Sequence, residues 1–173
     1  GYTRLMAENE SATIAALNDS RAVFRTHTES NSGRVVDMAG DSVLAVFSSA
    51  IGAIKAAVDA QEELAVQNKK VPEDRRMWFR VGVNLGDIRE AGDGTVYGDG
   101  VNVAAHLESL ADAGGVMISE FAYQQVRRRT DMTFADAGLH EVKNVADPVR
   151  SYRLVGGNDV PPTLAENQCF VGS

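Results

Sequence analysis

The order of hydrophobic patterns along the chain predicts an α+β domain, and three observations carry that prediction. Residues 3–30 hold a long helical period. Two β-rich runs then flank Ala39-Gly40-Asp41 as a hairpin. After the hairpin, helical and strand-like segments alternate, so antiparallel neighbours are mixed with crossovers. This suits an antiparallel or mixed sheet with helices packed on one side. With one strand preceding Gly1, the core reads βαββαβ, the ferredoxin-like arrangement, with extra strands and helices added.

Each element has its own signal. Leu5, Met6, Ala12, Ile14, Leu17 and Val23 recur at helical steps, and Asn31–Gly33 breaks the run. RVVDMAGDSVLAVF over 34–47 is the hairpin, with Asp41 near its tip. Ser48 and Ser49 are capping residues for a helix over about 49–69, whose apolar steps include Ile51, Ile54, Ala57, Val58 and Leu64. Pro72 lies beyond its end. MWFRVGVNLG over 77–86 is strand-like, with Trp78, Arg80 and Gly82 alternating against Met77, Phe79, Val81 and Val83. Residues 87–98 read as a glycine- and charge-rich loop or ragged hairpin. A helix follows over about 100–112, stopped by Gly114-Gly115. VMIS is a short buried strand, a short helix covers about 119–129, and strands near 132–138 and 148–155 close the domain. One domain is expected over 1–156, with its first strand cut at the N-terminus, and a linker or tail over 157–173.

Bulk properties narrow the function classes. With 173 residues and a formal net charge of −7, the chain suits one globular core and argues against a duplex nucleic-acid binder, which needs a basic surface. Its one cysteine, Cys169, cannot form an internal disulfide, and no apolar run reaches membrane-spanning length. A cytoplasmic location is the expectation.

The stretch VYGDGVNVAAHLE, residues 96–108, carries the most chemical information. Gly98, Asp99 and Gly100 form a flexible corner that feeds a helix with Asn102 and His106 on one face. A helix start offers unpaired N–H groups and a partial positive charge, which suits an anionic ligand such as phosphate. The plain alternative is a turn followed by a capping asparagine and a half-buried or exposed helix histidine.

Five segments occur together in order: GYTRLM, GRVVDMAGDSVLAVF, VGVNLGD, VYGDGVNVAAHLE and VKNVADPVRSYRL. As a set they resemble the class III adenylyl/guanylyl cyclase catalytic domain, the bacterial branch in particular, from Gly1 to about Leu154. The resemblance implies cyclisation of a nucleoside triphosphate, ATP rather than GTP, to the 3′,5′-cyclic nucleotide and pyrophosphate in cyclic-nucleotide signalling. It implies two Mg²⁺ or Mn²⁺ ions per site, held by two aspartates. One matches Asp41; the other falls three positions before Gly1. The backbone of Gly1, Tyr2, Thr3 and Arg4 matches the cradle of the terminal phosphates, and Lys143 matches the lysine on the triphosphate. Asn102 matches the ribose-orienting asparagine. Asp37 and Thr95 match the base-selecting pair, where Asp37 stands in place of the lysine frequent in ATP-selective members.

His106 occupies the place of the family's transition-state arginine. A histidine has a shorter reach and no guaranteed charge, and loss of one such donor costs on the order of a hundredfold in rate. Arg89, Arg150 and Arg153 are the other arginines to weigh for that task. The resemblance further implies a C₂ homodimer whose sites combine Asp41 of one chain with Asn102, His106, Lys143, Asp37 and Thr95 of the other, and an attached regulatory domain. The second reading is a catalytically weak or inactive cyclase-like domain that binds nucleotide or dimerises; His106 and Asp37 favour it.

Overall fold

The computed structural model describes residues 2–156 and, for the backbone, 167–172. Helices α1 (Tyr2–Glu8) and α2 (Glu10–Ser30) open the chain. The expected single helix is divided at Asn9, whose side-chain oxygen accepts from the Ala12 N–H at 3.1 Å and starts α2 afresh. The hairpin follows as β1 (Gly33–Asp37) and β2 (Leu44–Phe47), then α3 (Ala50–Asn68), capped by Ser49 through the Gly52 N–H. After β3 (Phe79–Asn84), a small hairpin of β4 (Arg89–Glu90) and β5 (Val96–Tyr97) leads into α4 (Asp99–Leu110). The remaining elements are β6 (Val116–Ser119), α5 (Glu120–Val126), β7 (Thr133–His140), β8 (Val149–Val155) and β9 (Asn167–Gly172).

The main sheet is mixed, in the order β1-β2-β9-β3-β6-β8-β7. Pairs β1/β2, β6/β8 and β7/β8 are antiparallel, while β9 runs parallel to both β2 and β3. The slot between β2 and β3, which a βαββαβ core fills from its first strand, is thus taken by the chain's last segment. Of the stretch expected as linker or tail, 167–172 lie in the sheet, and 157–166 and 173 lie outside the described residues.

Strand alternation sorts the side chains to two faces. Ala45, Phe47, Phe79, Val81, Val83, Val116 and Ile118 join the main core with residues of α1, α2, α3 and α5. Phe24 of α2 meets Phe79 edge to face at 5.3 Å. Helix α3 packs closely because its inward positions, Ala53, Ala57 and Ala60, are small and fully buried. Gln61 of α3 donates to the Phe79 and Gly115 carbonyls at 2.9 and 3.0 Å, which ties the helix to β3 and the start of β6.

Helix α4 stands on the opposite face, which corrects the expectation of helices on one side only. Val103, Leu107 and Ala111 pack with Met117 of β6 and with Val142, while Val101 joins a separate cluster with Leu44, Val46 and Val96. Gly82 makes this approach possible. A Cβ there would lie 2.2 Å from the Ala104 carbonyl oxygen and 2.4 Å from the Glu108 nitrogen.

Candidate active site

The glycine corner before α4 is closed by its own backbone. Gly98 adopts φ 123°, and its carbonyl accepts from the N–H groups of Val101 and Asn102. The Gly100 N–H donates to the Asp87 carbonyl at 3.0 Å, and a Cβ on Gly100 would sit 2.6 Å from that oxygen. The N–H groups of Gly100, Val101 and Asn102 are therefore used internally. The corner seats α4 on the 84–87 segment, as the plain turn reading has it. Asn84 reinforces the seat by donating Nδ2 to the Gly100 carbonyl at 3.1 Å.

These contacts fix the direction of α4. Its start lies over the end of β3, and its far end, at Glu108, lies over Gly82 and near Arg80. At 100° per residue, Asn102 and His106 are about 40° apart around the helix, while His106 and Glu108 are about 160° apart. Asn102 is exposed and His106 half-buried, whereas Glu108 is only 2 % exposed. One side of α4 thus carries the polar pair, and the sheet side carries a buried carboxyl.

Glu108 was not singled out in the sequence, although Gly100, Ala104 and Glu108 follow each other at four-residue steps. Two small residues on the packing side predict that the third is buried. Burial pushes its carboxyl up from 4.5 to about 7; the Arg80 guanidinium opposes the shift and the Asp41 carboxylate adds to it. One carboxyl oxygen has no hydrogen-bond partner among the described residues. Asp41 thus lies near enough to the Glu108 end of α4 for the two carboxyls to interact.

Asp41 is half-buried between β1 and β2, and Arg21 of α2 braces the turn by donating to the Met38 and Gly40 carbonyls. Asp37 ends β1 and is exposed. Thr95 is exposed at the tip of the β4–β5 hairpin, where its N–H donates to Asp93 Oδ1 at 2.9 Å. Their sequence neighbours Val36 and Val96 share one apolar cluster, and Arg34 pairs with Glu90 at 2.7 Å, so the two hairpins lean on each other.

Lys143 is exposed in a turn closed by the Val145 N–H on the Val142 carbonyl at 3.1 Å. Val142 and Val145 pack with Val103 and Leu107 of α4, so this turn and the polar face of α4 belong to one packed unit. The His106 ring meets the ring of His140, at the end of β7, with centroids 6.3 Å apart; His140 too was missed in the sequence. Arg150 and Arg153 are engaged elsewhere, with Asp136 at 2.5 Å and Asp112 at 3.4 Å. Arg89 lies on β4, paired in register with Tyr97.

Tyr2, Thr3 and Arg4 form the first turn of α1, and Gly1 lies outside the described residues. Arg4 donates to the Asp74 carbonyl at 2.7 Å and pairs with Glu8 at 3.1 Å, so its guanidinium is turned to the protein. Among the described residues, no three His, Cys, Asp or Glu side chains gather as a cation site, and no helix is long and apolar enough to cross a membrane.

The chain is 46 % identical over 150 residues to a Rhizobium meliloti (strain 1021) protein provisionally named adenylate cyclase 3; this covers 86 % of the chain but 25 % of that relative. It is 30 % identical over 127 residues to the adenylate cyclase of Glutamicibacter nicotianae, covering 72 % of the chain and 29 % of the relative. The chain therefore spans less than a third of the length of these two relatives. Its fold matches the crystal structure of an adenylate/guanylate cyclase/hydrolase from Silicibacter pomeroyi with a TM-score of 0.78 and 31 % identity, over 90 % of each chain. The family described as the adenylate and guanylate cyclase catalytic domain matches residues 1–156, and the chain belongs to that family.

Proposed function

We propose that residues 1–156 form a nucleotide cyclase unit that converts ATP, and less readily GTP, to the 3′,5′-cyclic nucleotide and pyrophosphate, acting as a homodimer in the cytoplasm. The observation that carries the split site is the two-sided helix α4. Asn102 and His106 project from one side, while the sheet side carries Glu108, whose carboxyl feels the Asp41 charge. In the proposed homodimer a second protomer supplies the acidic half to the face that carries the polar pair.

The reaction joins the ribose 3′-oxygen to the α-phosphorus and breaks the bond to the bridging oxygen of pyrophosphate; the hydroxyl proton leaves to solvent. Asn102 orients the ribose. His106, as a donor, offsets charge that builds on the α-phosphate oxygens. Lys143 draws the triphosphate toward α4, and the Tyr2–Arg4 turn is the candidate contact for the terminal phosphates. Asp37 and Thr95 face the base; Thr95 can donate or accept, and Asp37 accepts from an amino group, which suits adenine. The two relatives named as adenylate cyclases support ATP.

Asp41 fits a hard divalent cation as one ligand. Its carboxylate makes no hydrogen bond or ion pair with a described residue, and oxygen donors suit Mg²⁺ or Mn²⁺. A second carboxylate, three positions before Gly1, and the substrate's phosphates would complete the set for two ions. When bound, such ions favour the 3′-alkoxide and offset phosphate charge. The length of the relatives supports attached domains that regulate the unit.

The test is the full-length protein with Mn²⁺ or Mg²⁺ and either ATP or GTP, compared with Asp41→Asn and Asn102→Ala. Cyclic product in the wild type, lost in both variants, supports the reading. Nucleotide binding with no product under either cation selects the second reading, a regulatory cyclase-like domain, which His106 in the arginine position favours.

A further inference from the structure

We infer that His140 is a positioning residue for His106, holding the α4 imidazole where the substrate's α-phosphate meets it. The inference rests on the reading of Asn102 and His106 as the nucleotide-orienting face. An arginine carries five donors on a long stem, whereas a histidine carries at most two on a short one. A histidine doing this task depends on its surroundings to fix where its ring lies.

The end of β7 supplies such surroundings. The two imidazoles have centroids 6.3 Å apart and planes inclined at 56°, within the range of ring-to-ring contact. Both side chains are half-buried. His140 is itself held: its Nε2 lies 3.0 Å from the Ala137 carbonyl oxygen. A carbonyl only accepts, so Nε2 carries a proton and the ring has one orientation.

An irregularity in β7 creates this hold. The register with β8 shifts between Asp136 and Gly138, Gly138 has φ +89°, and its N–H donates to Asp136 Oδ1 at 2.8 Å. The strand then meets α4 through an apolar contact: Ala137, Val142 and Val149 pack with Val103 and Leu107, three residues before and one residue after His106. From the other side, Ser109 Oγ donates to the His106 carbonyl at 2.6 Å. The held His140 ring therefore lies beside the His106 ring, and His106 stands where the resemblance places an arginine.

Steady-state kinetics of the full-length protein test the role in two backgrounds. His140→Ala is expected to lower kcat about tenfold, the scale of a misplaced reacting group, with KM for ATP within about twofold. In a His106→Arg background the same change should alter kcat by less than about twofold, because the longer guanidinium does not rely on the β7 ring. His140→Phe, which keeps a ring in place, should recover most of the kcat lost in His140→Ala and covers the case that the alanine variant folds poorly. Equal losses in the two backgrounds, an effect on KM alone, or a phenylalanine variant no better than alanine would overturn the role. Wild-type kcat in His106→Ala removes the parent reading together with this one. A loss in His106→Ala alongside wild-type kcat in His140→Ala removes only the positioning role.

Discussion

Replacing Glu108 with glutamine should raise stability above neutral pH and remove a pH dependence that the wild type shows. The carboxyl titrates at 4.5 in an unfolded chain and at about 7 in the folded one, because burial under α4 disfavours its charge. Between those values the folded state keeps a proton that the unfolded chain has shed. Wild-type stability therefore falls as pH rises from about 4.5 to 7, is fully reduced above 7, and is unaffected by this group below 4.5. At 1.36 kcal/mol per pKa unit the full effect is about 3 kcal/mol, and about 1–2 kcal/mol is the working figure once water access and the nearby Arg80 charge are allowed for. For a chain of this size that corresponds to a gap of about 2–8 °C in melting temperature. Thermal melts of wild type and Glu108→Gln between pH 5 and 8.5 measure it. The curves should meet near pH 5 and diverge toward pH 8, with the variant higher. Parallel curves, or a variant that melts lower at every pH, would refute the reasoning and show that the carboxylate serves as an anion for Arg80.

The other expectations concern seating, charge and assembly. Gly82→Ala forces a Cβ against two backbone atoms of α4 at 2.2 and 2.4 Å, so a loss of about 1–3 kcal/mol in urea denaturation is expected, with cyclase activity falling further than the folded fraction. Lys143→Ala should raise KM for ATP about tenfold through loss of one charge-assisted phosphate contact, with kcat little changed; an unchanged KM in initial-rate assays would remove Lys143 from the substrate. Asp41→Asn and Asn102→Ala, each inactive alone, should recover about a quarter of wild-type activity when co-refolded in equal amounts, since half the dimers would be mixed and each would hold one intact site; no recovery, with mixed dimers shown by cross-linking, would count against the split site.

Periodic features were legible in the sequence and spatial ones were not. The hairpin over 34–47 and the helix opened by Ser49 appear where apolar alternation and capping residues placed them, because those signals act within one or two turns of chain. Asn9 reads as one more polar position of an amphipathic helix; only its bond to the Ala12 N–H shows it as a new start. Asn102 and His106 could be paired from the sequence because four-residue spacing means one helix face. Two other residues escaped for a different reason. Glu108 is buried because Gly82, 26 residues earlier, lets α4 sink onto the sheet. His140 meets His106 because a bulge at Gly138 and an apolar contact bring β7 to α4. Neither relation has a local period, so neither leaves a local trace. The filling of the central slot by β9 is of the same kind, since strand partners are chosen by the sheet and not by the strand's own sequence.

Helix α4 meets two opposed demands, and its residues divide between them. The sheet side has to sit close, so Gly82 below and Gly100 and Ala104 above are small, and backbone bonds from Asp87 and Asn84 lock the helix start. The outer side has to stay open, so Asn102 and His106 project there with the Lys143 turn beside them. Close seating leaves the helix no freedom to turn its polar face onto the sheet. A rotation of about 160° would bury Asn102 or His106 and expose Leu107, at a cost of several kcal/mol in lost apolar burial and unsatisfied polar groups. In the proposed dimer the acidic hairpin that completes the site comes from the partner. Because α4, the end of β7 and the 142–145 turn are packed together, any shift between protomers of the proposed dimer would carry them as one unit. Control of activity in the proposed dimer then reduces to one rigid-body coordinate, the separation of that unit from the partner's hairpin.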